Sequence, residues 1–287
     1  MEATGEREMK IFMNNYELFM EYEGVKILVK CNDEEIHRTI LCLYGDFIKQ
    51  NNNSFFDFCN IISLESDENC ITIFNGVEII KHNEWIRIFN KAFQDHIMLN
   101  LQNKYIFLHG SGVHYKNNNI IFLGKTGMGK TSCTAYLALK KNARLIGDDF
   151  LPFRVADYKL CAFPGSLHIK RDSITLYESI DENKLSFGVG VDNQNSIYYF
   201  DPIDLGITKH TVSKDEKNIF IFPYYNNVSN KYTKLEGLEK LNSFINCVYN
   251  IDVVAFDLVN YIKTVSNVYK IEYTDFNEME LMLEKCI

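Results

Sequence analysis

Hydrophobic and polar residues alternate along residues 16–29, as they do in strands that bury one face. Asn32 and Glu35 then form the signature of a capped helix start. In the helix that follows, apolar side chains share one face: Ile36, Ile40, Leu43, Tyr44, Phe47 and Ile48. This face predicts hydrophobic core and not a chemical site.

The same pattern predicts two more strands around residues 59–64 and 70–74, and a second helix over residues 84–101. The apolar residues of that helix recur at helical spacing: Trp85, Phe89, Ala92 and Phe93. Together these elements predict a small N-terminal α+β domain over residues 1–104.

Strands predominate from residue 105 onward. Apolar strands are predicted over residues 105–110 and 120–123, and three asparagines between them, residues 117–119, favour an antiparallel hairpin. Further elements are predicted in the order strand 144–146, hairpin 151–155 and 159–163, strand 218–222, helices near 235–249 and 253–262, strand 268–273 and a closing helix from about residue 277. Residues 105–287 are therefore predicted to form an α/β domain with a mixed sheet.

A glycine-rich loop with the Walker A spacing follows the hairpin: Gly124, Lys125, Thr126, Gly127, Met128, Gly129, Lys130 and Thr131. In such a P-loop, backbone N–H groups point at phosphate oxygens, the lysine bridges the β- and γ-phosphates, and the threonine hydroxyl binds Mg²⁺. Residues 120–123 supply the strand before the loop, and residues 132–140 have the alanine and leucine content of the helix after it. The sequence therefore predicts a site for ATP and Mg²⁺.

Two adjacent carboxylates, Asp148 and Asp149, end the strand that follows the P-loop helix. There, one can face the metal ion held by Thr131 while the other accepts a proton from an attacking hydroxyl. Position alone does not say which does which. Asp149 is taken with Thr131 as the metal pair, and Lys130 and both aspartates are the candidate catalytic groups. A solvated Asp-Asp turn is the alternative interpretation.

Two histidines and two cations are further candidates. His109 ends an apolar strand, and we expect it to contact a phosphate or the substrate, the alternative being a hydrogen-bonded histidine at a strand end. His114 would point to the opposite face of a continuous strand, and we predict that it lies at the surface. Lys170 and Arg171 follow a rigid turn and either stabilise charge on a transferred phosphoryl group or form a solvated pair.

Composition restricts the partners. The 287 residues are 46% hydrophobic, enough to bury one large core or two modest ones. A net charge of −8 repels nucleic acids and anionic membrane surfaces, so neither is expected as a partner. The sequence has no apolar run long enough for a membrane span and no signal-peptide pattern at its start, which predicts a cytoplasmic protein. The eight cysteines contain no Cys-x-x-Cys pair and are interpreted as buried thiols.

Three motifs occur in the order Leu108-His109-Gly110, the P-loop, and Leu145-Ile146-Gly147-Asp148-Asp149. This order resembles the HPr kinase/phosphorylase superfamily, and the match looks closer to its short HPr-kinase-related members, such as the lasso-peptide (serine) kinases. Recognisable motifs lie within residues 105–223. The resemblance implies an α/β P-loop kinase domain of the HPr kinase/phosphoenolpyruvate carboxykinase type, with a mixed sheet.

By this resemblance, Lys130 and the P-loop hold ATP, Thr131 and one aspartate hold Mg²⁺, and the other aspartate activates a serine hydroxyl. His109 matches the active-site histidine of the family. The Glu-Val-Arg-Gly type motif of true HPr kinase/phosphorylases is missing after Asp149. The resemblance therefore implies neither HPr as the substrate nor phosphorylase activity. Lys170 and Arg171 lie in the corresponding part of the chain.

The leading hypothesis is an ATP-dependent kinase whose acceptor is a hydroxyl, with serine or threonine of a peptide or small protein as the substrate. A kinase of a small molecule such as free serine and a non-enzymatic ATP-binding regulatory module are the alternatives. The N-terminal domain is the candidate for substrate recognition. A homo-oligomer is left open.

Overall fold

The computed structural model describes residues 16–49, 60–66, 70–74, 78–81, 84–174, 187–192, 195–213 and 216–287. These ranges contain four β-sheets with helices packed against them. The mixed α/β class predicted from the sequence is confirmed.

The N-terminal unit begins with a five-stranded sheet in which sequence order and spatial order coincide. Its elements are β1 (Tyr16–Tyr22), β2 (Val25–Cys31), α1 (Glu34–Tyr44), β3 (Asn60–Ser66), β4 (Cys70–Phe74), β5 (Glu78–Lys81) and α2 (Trp85–Leu101). Strands β2 and β3 are parallel with α1 as their crossover, and the other neighbours are antiparallel. Asp33, one residue after the predicted Asn32, caps α1 by accepting hydrogen bonds from the N–H groups of Glu35 and Ile36.

The predicted apolar faces of α1 and α2 are buried in a hydrophobic core that continues into the second half of the chain. The ring of Phe163 lies 4.9 Å from that of Phe47 and 5.1 Å from that of Tyr22, measured between centroids. Phe107 and Phe150 belong to the same core. Because burial of each aromatic side chain contributes roughly 1.5–3 kcal/mol, this shared core fixes α2 beside the second unit.

The second half begins with β6 (Tyr105–Leu108) and contains two further sheets and the largest one. Its other elements, in chain order, are β7 (Gly110–Tyr115), β8 (Asn118–Leu123), α3 (Lys130–Lys141), β9 (Arg144–Gly147), β10 (Leu151–Arg154), β11 (Lys159–Leu160), β12 (Leu167–Lys170), α4 (Arg171–Ile174), β13 (Phe187–Asp192), β14 (Asn195–Phe200), β15 (Lys217–Tyr225), β16 (Lys231–Lys234), α5 (Gly237–Ile245), α6 (Ile251–Thr264), β17 (Val268–Tyr273) and α7 (Phe276–Glu284).

The largest sheet has six strands in the order β16-β17-β15-β8-β7-β9. Strand β8 is antiparallel to β7 and parallel to β15, which is parallel to β17. The predicted mixed sheet and the antiparallel hairpin before the P-loop are confirmed. The predicted strand over residues 105–110, however, is interrupted at His109. Its first part is β6, which pairs with β10 in a separate sheet, and the first strand of the hairpin is β7.

Most other strands agree with the hydrophobic pattern, including β9, the β10–β11 hairpin, β15 and β17. The sheet formed by β12, β14 and β13 was not predicted. The cysteines that the structure describes are free thiols, all buried except the half-buried Cys42, as expected. Within the described ranges, no helix combines the length and the apolar character needed to cross a membrane.

Candidate active site

The P-loop joins β8 to the twelve-residue helix α3, as predicted. Its glycines adopt the left-handed backbone region, with φ of 146° at Gly124, 87° at Gly127 and 87° at Gly129. Side chains make that region unfavourable, so glycine is needed at these turns. At Gly129 a Cβ would also lie 2.7 Å from the hydroxyl of Tyr273. The loop can therefore adopt this conformation only with its glycines in place.

Lys130 is the first residue of α3, and only 7% of its surface is exposed. Its Nζ donates a hydrogen bond of 3.3 Å to the carbonyl of Lys125 within the loop. Burial lowers the pKa of Lys130, and the carboxylates of Asp149 and Asp148 counter this only in part. A buried ammonium at a helix N-terminus favours the binding of an anion, because its positive charge and the helix dipole both attract negative charge.

Asp148 is buried between the P-loop helix and β12. Its Oδ1 accepts a hydrogen bond of 2.9 Å from the hydroxyl of Thr131, and its Oδ2 accepts one of 2.9 Å from the backbone N–H of His168. Burial raises the pKa of Asp148, and His168 offsets this only in part. The prediction paired Thr131 with Asp149 at the metal, whereas the structure brings the carboxylate of Asp148 to Thr131. A hydroxyl and a carboxylate are oxygen ligands of the kind that Mg²⁺ binds.

Asp149 faces the open side of the site, and 40% of its side chain is exposed. Its Oδ1 lies 3.1 Å from His109 Nε2 and its Oδ2 lies 3.7 Å from His168 Nδ1. An ionised carboxylate only accepts hydrogen bonds, so Nε2 of His109 carries the proton in this pair. Burial would raise the pKa of Asp149, but the hydrogen bonds and charges of the two imidazoles dominate and lower it. Asp149 is thus held as an anion.

The backbone at Asp149 explains why neighbouring carboxylates have different partners. Its φ of 68° lies in the left-handed region, which aspartate tolerates better than most residues. The hydroxyl of Tyr249 donates a hydrogen bond of 3.1 Å to the carbonyl of Asp149. This turn separates the two side chains, one toward Thr131 and the other toward His109.

His109 lines the same cleft as the P-loop and Asp149, and its contact with a phosphate or the substrate stays a prediction. The break between β6 and β7 places His109 outside both strands, and its N–H donates a hydrogen bond of 2.7 Å to the carbonyl of Cys247. The neighbouring ring of Tyr249 lies 5.5 Å from the imidazole. His109 is therefore fixed at the strand end with its Nε2 directed at Asp149.

His168 was missed by the sequence analysis, which considered only the cations that follow it. The residue lies on β12, with Nε2 3.0 Å from Ser166 Oγ and its ring 4.6 Å from that of Tyr199. Burial would lower the pKa of His168, but the carboxylates of Asp149 and Asp148 raise it. In β12, Leu167 and Ile169 are buried and alternate with His168 and Lys170. The period of two in a strand therefore puts His168 on the same face as Lys170, and this spacing is the signal that could have found it.

An open cleft of about 540 Å³ lies between the P-loop and the N-terminal unit. The P-loop side contributes Thr126, Gly127, Gly129, Lys130 and Thr131, and the opposite wall is formed by α2 through Arg87, Asn90, Lys91, Gln94, Asp95 and Met98. Asp149, His109 and His168 lie between these walls. The cleft is therefore lined by the P-loop on one side and by polar residues of α2 on the other.

The two predicted cations separate. Lys170 lines the cleft at the end of β12, whereas Arg171 begins α4 with an exposed side chain and is not among the residues that line the cleft. Tyr249, which the sequence analysis did not select, also lines it. Of the pair, Lys170 is thus the candidate for contact with a phosphate or the substrate.

The prediction that His114 lies at the surface is wrong. Only 9% of His114 is exposed, and its ring stacks on that of His210 with the centroids 4.0 Å apart. All six residues of β7 are buried, so both faces of the sheet are covered at this strand. His114 therefore packs against His210 and contacts Asn119 instead of facing solvent.

Comparison with models of known protein families finds no match, and comparison with curated proteins finds none either. The likeness to the HPr kinase/phosphorylase superfamily therefore rests on the motifs and on their order along the chain.

Proposed function

We propose that the chain is an ATP-dependent kinase that transfers the γ-phosphoryl group to a hydroxyl, with serine or threonine of a peptide or small protein as the acceptor. One observation carries the proposal: the adjacent carboxylates have different partners. Asp148 is bonded to the P-loop hydroxyl of Thr131, and Asp149 faces an open cleft between two imidazoles. A metal site and a proton acceptor side by side are what phosphoryl transfer to a hydroxyl requires.

The nucleotide would lie with its phosphates on the P-loop. Backbone N–H groups of the loop and the buried ammonium of Lys130 would bind the phosphate oxygens. The hydroxyl of Thr131 and the carboxylate of Asp148 would hold Mg²⁺, which neutralises charge on the β- and γ-phosphates when bound. Lys170 faces the same cleft and would add a positive charge.

Asp149 would orient the acceptor hydroxyl and take its proton. As the new bond forms between the hydroxyl oxygen and the γ-phosphorus, the bond to the leaving ADP oxygen breaks and the proton passes to a carboxylate oxygen. His109 and His168 lower the pKa of Asp149, so its carboxylate is ionised and can accept a hydrogen bond from the acceptor hydroxyl. The hydrogen bond from His109 and the nearby imidazole of His168 also fix its direction.

The acceptor would enter from the side of α2. That wall is polar and carries Arg87, Lys91 and Gln94, groups that can bind backbone carbonyls and acidic side chains. The cleft falls within the range of roughly 300–1,000 Å³ that is typical of ligand sites. This supports the N-terminal unit as the substrate-recognition unit, with a peptide partner.

The proposal is tested with γ-labelled ATP, Mg²⁺ and three acceptor conditions: a mixture of serine- and threonine-containing peptides, free serine, and no acceptor. Label in peptides is the expected result. Label in free serine alone would favour a small-molecule kinase, and binding of ATP without any transfer would favour a regulatory module. Lys130→Ala serves as the inactive control, and Lys140→Ala, an exposed lysine at the other end of α3, as the matched active control.

A further inference from the structure

A second cluster of ligand-type side chains lies at the other end of β7. It consists of His114, His210 and Glu216, whose nitrogen and carboxylate atoms all lie within 4.8 Å of one another. His114 lies four positions along β7 from Gly110 at the P-loop end, a distance of roughly 14 Å at about 3.4 Å per residue. The cluster is therefore distinct from the proposed Mg·ATP site.

The donor atoms of the cluster converge on one carboxylate. His210 Nε2 lies 2.9 Å from Glu216 Oε2, and His114 Nδ1 lies 3.8 Å from the same oxygen. The Oδ1 of Asn119 lies 3.0 Å from His114 Nδ1 and is a fourth oxygen in reach. Two imidazole nitrogens with carboxylate and amide oxygens form a donor set that Zn²⁺ accepts in tetrahedral geometry.

The cluster is buried: only 9% of His114 and 5% of His210 are exposed. The Nε2 of His210 faces Glu216, while its other ring nitrogen, Nδ1, has no hydrogen-bond partner among the described residues. Stacking brings the two imidazoles together with an interplanar angle of 24°, so at most one can be charged without strong repulsion. Neutral imidazole is the form that binds a metal ion.

We propose that His114, His210 and Glu216 bind one zinc ion, with Asn119 as a neighbouring oxygen donor. Zn–N and Zn–O bonds of about 2.1 Å require donor atoms within roughly 4.2 Å of each other. The two measured contacts to Glu216 already meet this limit, and small side-chain rotations would bring the remaining atoms within it. The proposal is independent of the proposed kinase activity.

The position of the cluster indicates what the ion would do. The segment that carries His210 pairs with β9, the edge strand of the large sheet: Leu145 N–H donates to Thr208 O, and His210 N–H donates to Leu145 O, at 2.8 and 2.7 Å. Strand β9 leads directly to Asp148 and Asp149. A metal ion that joins His210 to His114 on β7 would hold this segment and the edge strand together.

The test uses the full chain after treatment with EDTA and removal of the chelator. Zn²⁺ alone is titrated by calorimetry and by thermal melting, and Mg²⁺ at the same concentration is the comparison. We expect one Zn²⁺ per chain, a rise in Tm that Mg²⁺ does not give, and at least a tenfold loss of Zn²⁺ affinity in His210→Gln and Glu216→Gln. His37→Gln, which removes a partly exposed imidazole on α1, should bind Zn²⁺ as the wild type does.

The wild-type chain gives a readout that does not depend on the folding of variants. Co²⁺ in place of Zn²⁺ should produce the visible absorption of a tetrahedral site with nitrogen and oxygen ligands. Absence of stoichiometric Zn²⁺ binding, an octahedral Co²⁺ spectrum, thiolate charge-transfer bands that assign the metal to cysteines, or unchanged Zn²⁺ affinity in folded His210→Gln would each overturn the proposal.

Discussion

The hydroxyl of Thr131 donates a hydrogen bond of 2.9 Å to Oδ1 of Asp148 and thereby joins the first turn of the P-loop helix to the end of β9. Strand β7 lies between β9 and β8, the strand that enters the P-loop. This hydrogen bond therefore connects segments that follow two strands which are not neighbours in the sheet. It assigns the metal role in our proposal to Asp148 and leaves Asp149 for the acceptor. Substitution of Asp148 and substitution of Asp149 should therefore impair phosphoryl transfer in different ways.

We predict that Asp149→Asn reduces phosphoryl transfer by about 10²-fold or more, the usual contribution of a positioned acid or base. Asp148→Asn, which loses a proposed Mg²⁺ ligand, should also reduce it. Raising Mg²⁺ should restore part of the activity of Asp148→Asn, because its defect is weaker metal binding. Asp149→Asn should stay low at every Mg²⁺ concentration, because it lacks the proton acceptor. The measurement is the initial rate of phosphoryl transfer as a function of Mg²⁺ concentration. Near-normal rates in both variants would mean that the two aspartates only form a turn and have no catalytic role.

Lys130→Ala should remove stabilisation by Mg·ATP. A ligand at 100 times its Kd stabilises a protein by about 2.7 kcal/mol, so the Tm of the wild type and of Lys140→Ala should rise clearly with Mg·ATP. The Tm of Lys130→Ala should rise much less. Melting curves with and without Mg·ATP provide the measurement, and a wild-type Tm that does not respond at saturating ligand argues against ATP binding.

The P-loop was predictable because its determinants are local. The glycines, Lys130 and Thr131 are adjacent in the chain, and the strand and helix around them follow from short apolar patterns. The antiparallel hairpin was predictable for the same reason, although its first strand begins only at Gly110.

The division of labour between Asp148 and Asp149 was not predictable, because it depends on contacts distant in sequence. Asp148 is oriented by Thr131 and by the backbone of His168, and Asp149 adopts a left-handed conformation that no neighbour in the sequence requires. The error at His114 has the same origin. Whether a face of a strand is exposed is decided by what packs on it, here His210, which is distant in sequence and stacks on His114.

The pH dependence of stability should carry a contribution from His168. Burial opposes its positive charge, but Asp149 and Asp148 raise its pKa above 6.5. A raised pKa gives stability that is fully present below the unfolded value of about 6.5 and lost as the pH rises through the folded value. We therefore predict that Tm of the wild type declines on the alkaline side of this range. His168→Gln should remove that part of the decline, and Tm measured between about pH 5 and pH 9 tests this.

Extending the Tm profile below about pH 4 also provides a check on Asp149. Its pKa is lowered, so its contribution to stability is present above the unfolded value of about 3.9 and is lost as the pH falls through the lower folded value. His168→Gln should shift that acid loss to higher pH, because one of the two imidazoles is gone. Identical pH profiles for the wild type and His168→Gln would contradict the coupling between the two residues.

Acceptor recognition by α2 predicts a separation of kinetic effects. Lys91 is exposed on the cleft wall, and Lys91→Glu should raise the KM for the peptide acceptor several-fold, since the change reverses a charge that steers and binds the partner. The KM for ATP should not change, because the residue lies on the wall opposite the P-loop. Lys140→Glu is the matched control for net charge. Equal changes in both KM values would place the acceptor elsewhere.

Product stoichiometry distinguishes transfer of a phosphoryl group to a hydroxyl from hydrolysis of ATP. The chain is incubated with Mg·ATP and a serine-containing peptide substrate, and ADP, phosphopeptide and inorganic phosphate are quantified together. ADP and phosphoserine should form in equal amounts, and both should be lost in Asp149→Asn. ADP matched by inorganic phosphate, at a rate that no hydroxyl acceptor alters, would show that water and not a hydroxyl is the acceptor.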